Sequence, residues 1–202
     1  IDRIHMNKFA IGLFEYIDEI KSNSTREELC SYFGVSDFKK INVFVGFNGR
    51  PAQRHIEIVD SLKNLNKDCL EKINLILTMT YGVKNDAYMS TLESKVKDLG
   101  CSYVILRKFL NETEMAKLRC ICDVLLHAQL TDAFSASIQE SIYNGSVILS
   151  GAWLPYAELP DWESFFVVYS GFDELGKKLE FVVNNYDQVK KDYILNSDFV
   201  YH

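Results

Sequence analysis

Apolar positions set the frame of this chain. Met6, Phe9, Ala10, Leu13, Ile17 and Ile20 recur at helical spacing, which predicts a first helix over 6–20. Ser24-Thr25-Arg26-Glu27 reads as the capping box of a second helix that runs through Leu29, Tyr32 and Phe33 to Gly34. Short apolar runs then alternate with helical patterns. Strands are expected at Ile41–Val45, Ile73–Met79, Ser102–Leu106, Asp123–Leu126, Ser146–Ser150 and Phe165–Val168. Helices are expected over His55–Leu65 and Asp86–Leu99, and from Asn111, which caps with Glu114. A further helix opens near Thr131 and is stopped by Gly145; another begins at Ser170 and Asp173, and a last one spans Tyr186–Leu195. Strands alternating with helices of this length predict a Rossmann-like, three-layer α/β/α domain with a mostly parallel sheet of about six strands. The domain is placed at 24–202, with 1–23 as an N-terminal helix or inter-domain segment.

Composition adds little and excludes some things. The 202 residues are 48% hydrophobic and 25% charged, with a net charge of −6, which does not favour nucleic acid. The five cysteines are irregularly spaced, and Cys120-Ile-Cys122 is neither a redox nor a zinc pattern, so free thiols in a reducing cytoplasm are expected. Neither a membrane span nor a signal peptide is evident, although a peripheral seat at the inner face of a membrane stays open. The opening at Ile1, without an initiator Met, is what a trimmed piece of a longer chain shows.

Two strand–helix junctions carry candidate chemistry. The first strand runs into Gly46-Phe47-Asn48-Gly49-Arg50-Pro51-Ala52-Gln53-Arg54, a tight turn expected to expose backbone N–H groups beside two arginines. It lacks the third glycine of a dinucleotide fingerprint and the Lys-Ser/Thr of a P-loop, and a turn with solvated arginines fits it too. The second junction, Thr131-Asp132-Ala133-Phe134-Ser135, places one carboxylate at a helix mouth and another, Glu140, about two turns in. There Asp132 as a near-cap and Glu140 as a solvated position remain the plainer alternative. His127 and Tyr81, at strand ends, fit a ligand pocket or ordinary packing.

Taken together these residues resemble the C-terminal, nucleotide-sugar-binding half of GT-B glycosyltransferases over about residues 24–192. The resemblance rests on Arg26-Glu27-Glu28-Leu29, on Val45-Gly46 through Arg54, and on Asp132 and Glu140 at the spacing of the family's Glu-x7-Glu pair. Phe134 and Gly145-Ser146-Val147-Ile148 extend it. Asp in place of the first Glu, and Ser135 where Gly is usual, depart from the pattern. The glycine turn, His55-Ile56 and Asn85-Asp86-Ala87-Tyr88 look most like transferases that add 4-acetamido-fucose to lipid-linked intermediates. Family 4 and other polysaccharide or lipopolysaccharide transferases are equally similar.

The resemblance implies transfer from a nucleotide-sugar donor to a saccharide or lipid-linked acceptor, with no metal or other cofactor. The acceptor would be held by the family's other, N-terminal domain, so this chain is expected to be inactive alone. Arg50, Arg54 and Asp132 would be the catalytic set. Gly46, Asn48, Gly49, Tyr81, Arg107, Phe109, Leu110, His127, Gln129, Ala133, Phe134, Ser135 and Glu140 would line the donor. Glu140 would take the ribose hydroxyls with both oxygens, so its loss should weaken binding and leave stability nearly unchanged. Alternatives are half of a sugar-nucleotide 2-epimerase, which needs more histidines, and a non-catalytic Rossmann-like interaction module.

Overall fold

The computed structural model describes residues 13–82, 85–158 and 165–201. Six strands form one sheet in the order β3-β2-β1-β4-β5-β6, and every adjacent pair is parallel. They are β1 (Ile41–Val45), β2 (Ile73–Thr78), β3 (Ser102–Leu106), β4 (Val124–His127), β5 (Val147–Gly151) and β6 (Phe166–Tyr169). All six residues of β2 are buried, as expected of a strand covered on both faces.

One face packs Val43, Leu75, Leu77 and Leu126 against α3 (His55–Ser61), α5 (Asp86–Asp98) and α8 (Phe172–Asn184). The other packs Phe44, Ile76, Leu125 and Ile148 against α1 (Phe14–Asn23), α2 (Arg26–Tyr32), α6 (Glu112–Cys120) and α7 (Ala136–Asn144). A short α4 (Lys67–Glu71), capped by Asn66, precedes β2, and α9 (Tyr186–Tyr201) closes the described chain. The predicted fold class is the observed one. The five cysteines are free thiols, and no described helix is long and apolar enough to cross a membrane.

Several boundaries differ for local reasons. Of the first predicted helix, 6–12 lie outside the described residues. The capping box of α2 sits one residue later than expected: Thr25 Oγ1 accepts from the Glu28 amide at 3.2 Å, and Glu28 accepts from the Thr25 amide at 2.8 Å. The His55–Leu65 segment tightens to a 3-10 turn at Leu62–Asn64. Helix α8 starts at Phe172 behind Gly171, and α9 extends past Leu195 to Tyr201. Strands β4, β5 and β6 each end one residue later than predicted.

Polar groups pin the end of the sheet away from the candidate chemistry. The Asp123 carboxylate accepts from Arg26 and Tyr186 side chains and from the Asn42 amide at 2.8 Å. Paired in register, Asn74 donates to Asn42 Oδ1 at 2.9 Å, and Asn42 donates to the Ile121 carbonyl at 3.0 Å. The Arg26-Glu27-Glu28-Leu29 segment therefore anchors the base of the fold.

Candidate functional site

The strand order reverses between β1 and β4, and such a switch point opens a crevice at the C-terminal strand ends. Both candidate junctions lie there. The Gly46 amide donates to the Leu126 carbonyl at 3.1 Å, and the Phe47 and His127 rings meet at 5.6 Å.

The glycine turn is a self-contained structure. Gly46 has φ 63°, and a Cβ there would fall 2.9 Å from Gln53 Oε1. The expectation of exposed amides fails here. Phe47 N–H donates to Gln53 Oε1 (3.2 Å), Gly49 N–H to the Tyr81 carbonyl (2.7 Å) and Arg50 N–H to Asn48 Oδ1 (2.9 Å). The turn is propped from below by His55, whose Nε2 lies 2.9 Å from the Asn48 carbonyl and whose Nδ1 lies 2.9 Å from the Tyr88 hydroxyl. A carbonyl can only accept, so Nε2 carries the hydrogen and Nδ1 accepts from Tyr88. Burial holds the imidazole down at about 4, in its neutral form.

The two arginines part company. Arg50 is exposed and runs beside Gly82. Arg54, with φ 58°, lies over the rings of Phe172 (4.4 Å) and Trp153 (5.6 Å) and pairs with Glu57 at 3.4 Å.

The second junction is not a helix mouth at Asp132. The helix begins four residues later, because Asp132 Oδ2 accepts from Ser135 N–H (3.3 Å) and Oγ (3.2 Å) and holds 132–135 in a turn. The amide of Ser135 is thereby used, so the free first-turn donors are those of Ala136 and Ser137 rather than Ala133 to Ser135. Phe134 sits at φ 59°, a costly conformation for a bulky residue.

Tyr156, absent from the sequence-based set, completes this corner. Its hydroxyl donates to Asp132 Oδ2 and lies 2.9 Å from His127 Nε2, which is itself 3.5 Å from Asp132. His127 is fully buried, so it packs under the site rather than lining it. With the tyrosine hydrogen given to Asp132, His127 Nε2–H donates to the tyrosine oxygen, and Nδ1 is left without a partner. Burial alone would raise Asp132, but the adjoining His127 imidazole and the hydrogen bond from Tyr156 prevail and hold it at about 2. A Tyr156→Phe variant keeps the ring stacked on Phe166 but loses a bond to an ionised group. It should lose about 1.5–3 kcal/mol in urea unfolding. Asp132 should then titrate nearer the ordinary carboxylate range by carbon-detected NMR; an unmoved titration would contradict the network.

Glu140 is buried on α7, and its Oε2 accepts from Arg119 Nε at 2.9 Å. Arg119 is itself 2% exposed and also donates to Ser137 Oγ. Half of the carboxylate is therefore committed to the protein, contrary to a group offering both oxygens to a ribose.

Three depressions collect the remaining predicted residues. Glu140 shares one of about 650 Å³ with Phe109, Leu110 and Met115. Asp132 and Ala133 share another, of about 420 Å³, with Leu130, Trp153 and Pro155. The Gln129 carbonyl accepts from the Trp153 indole at 2.7 Å behind it. Gly49, Tyr81 and Arg107 border a third, so Arg107 stands apart from Phe109 and Leu110. Among the described residues no group of three or more His, Cys, Asp or Glu stands ready to hold a metal ion.

No family model and no curated protein matches the sequence. Solved structures do match. A glycosyltransferase from Rickettsia africae superposes with a TM-score of 0.71 at 13% identity over 91% of this chain and 48% of that one. Anabaena HepE, solved in complex with UDP and glucose, gives 0.69 at 16% identity over 87% and 46%. The C-terminal domain of a group 1 family glycosyl transferase, LpcC from Francisella tularensis, gives 0.62 at 13% identity over 85% and 90%. The chain has the fold of a glycosyltransferase domain. It spans about half the length of the first two proteins and nearly all of the LpcC domain.

Proposed function

We propose that this chain is the donor-binding half of a GT-B glycosyltransferase, which holds a nucleoside diphosphate sugar across the β1–β4 crevice. The observation that carries the reading is the placement of the acidic pair. Asp132 and Glu140 bracket the start of α7 and border separate depressions, one beside Trp153 and one beside Phe109 and Leu110. In this reading the nucleoside lies against Phe109 and Leu110, with the ribose on the free oxygen of Glu140. The diphosphate lies at the first-turn amides of α7, near the Arg54 guanidinium on Trp153. Asp132, kept ionised by its donors, accepts hydroxyls of the transferred sugar. The acceptor would be a saccharide or lipid-linked glycan of a surface polysaccharide, brought by the other half of a two-domain enzyme working in the cytoplasm.

Titration calorimetry with UDP, GDP and dTDP tests this. One of them should bind, and at a hundredfold excess over its Kd it should stabilise the chain by about 2.7 kcal/mol. Absence of heat and of any melting shift with all three would overturn the reading. Arg54→Ala should weaken the diphosphate about tenfold or more while leaving the nucleoside unchanged. Equal losses would put Arg54 outside the phosphate site.

A further inference from the structure

The depression beside Gly49 shares no lining residue with the two that flank the start of α7. It has a volume of about 250 Å³ between the ends of β2 and β3. That is below the usual range for pockets that enclose a drug-sized ligand, and suits a single ring rather than a nucleotide. Its chemistry is mixed in a definite way. Tyr81 is 44% exposed and offers an aromatic ring at the rim, while Met79 and Met89 give apolar lining. Asp86 supplies an exposed carboxylate at the first residue of α5. Arg107 supplies guanidinium donors, with one nitrogen paired to Glu93.

Beneath them Thr80 is 6% exposed, and its hydroxyl is buried with no hydrogen-bond partner. Thr80 lines the depression, and a buried hydroxyl is normally satisfied by a partner. The wall is firm where it meets the switch point. The Gly49 amide is bonded to the Tyr81 carbonyl, and a Cβ on Gly49 would fall 2.9 Å from that oxygen.

A ligand that suits an aromatic ring, a carboxylate, a guanidinium and a hydroxyl has an apolar face and an edge of hydroxyl groups. We propose that this depression is a subsite for one pyranose ring of a saccharide other than the donor's own sugar. It thus gives the chain a share in acceptor recognition. The assignment of that second sugar as acceptor rests on the donor reading above; the pyranose site itself does not.

The test is amide-resolved NMR of the full chain with methyl α-glucoside, methyl α-galactoside and N-acetylglucosamine, each with and without saturating UDP. At least one saccharide should shift the amides of Tyr81, Gly82, Asp86 and Met89 in both series. UDP alone should shift Leu110 and the start of α7. Tyr81→Ala, at an exposed position, should weaken the saccharide about tenfold. Asp86→Asn should weaken the saccharide as well and leave the UDP shifts in place.

If no saccharide at tens of millimolar moves the Tyr81 group, the subsite is overturned whether or not UDP binds. If UDP itself shifts the Tyr81 group, the depression belongs to the donor and the proposal is again overturned. Saccharide shifts at Tyr81 with no response to UDP, GDP or dTDP anywhere would uphold the subsite and overturn the donor reading.

Discussion

Replacing Glu140 with Ala should destabilise the chain by about 3–5 kcal/mol, far more than the loss of a ligand contact implies. The sequence-based expectation of unchanged stability fails because the partner, Arg119, is 2% exposed and twenty-one residues away on another helix. Deleting the carboxylate leaves a guanidinium buried without its counter-charge. The double variant Arg119→Met with Glu140→Leu should recover most of the loss, since two apolar side chains avoid the desolvation of both charges. Urea midpoints of the three variants decide this. A single variant as stable as the parent would mean that the pair does not form. If the donor reading holds, the recovered double variant should be folded but poor at binding UDP.

Acidification should cost the fold roughly 3 kcal/mol between pH 6.5 and 4, through His55 alone. The folded imidazole titrates at about 4, below its ordinary 6.5, so the unfolded chain takes up the proton first. The stability is complete above 6.5, falls as the pH drops, and levels off below the folded value. Protonation would also leave Nδ1–H facing the Tyr88 hydroxyl and force that hydrogen bond to reverse. His55→Asn should lower stability at pH 7.5 and flatten the slope across this window. An unchanged slope in that variant would assign the acid sensitivity elsewhere. Because His55 supports the Asn48 carbonyl, the glycine turn should loosen over the same range.

How much of this could be read in the residues varies with the range of the forces involved. The sheet and its helices were legible because burial on two faces writes itself into the strands, as in β2, where Ile73, Leu75, Ile76 and Leu77 are buried on both faces. Asn111 and Glu114 were legible because a capping box is local, and it forms as read. The start of α7 was misread because Asp132 spends its oxygen on the Ser135 turn, so helical spacing upstream of Ala136 did not become helix.

Other features depend on contacts no short window contains. Tyr156 reaches Asp132 across twenty-four positions, and Arg119 reaches Glu140 across twenty-one. The separation of Arg50 from Arg54 turns on the aromatic rings of Trp153 and Phe172, a hundred residues further on. The amides of the glycine turn looked available for the same reason. Their acceptors include the Leu126 carbonyl on β4 and the Tyr81 carbonyl beyond the end of β2.

A crystal structure of the chain with whichever of UDP, GDP and dTDP binds would bear on the donor crevice most directly. The base is expected against Phe109 and Leu110, the ribose on the free oxygen of Glu140, and the diphosphate at the Ala136 and Ser137 amides within reach of Arg54. Density for the nucleotide over Tyr81 and Arg107, with the start of α7 untouched, would contradict it.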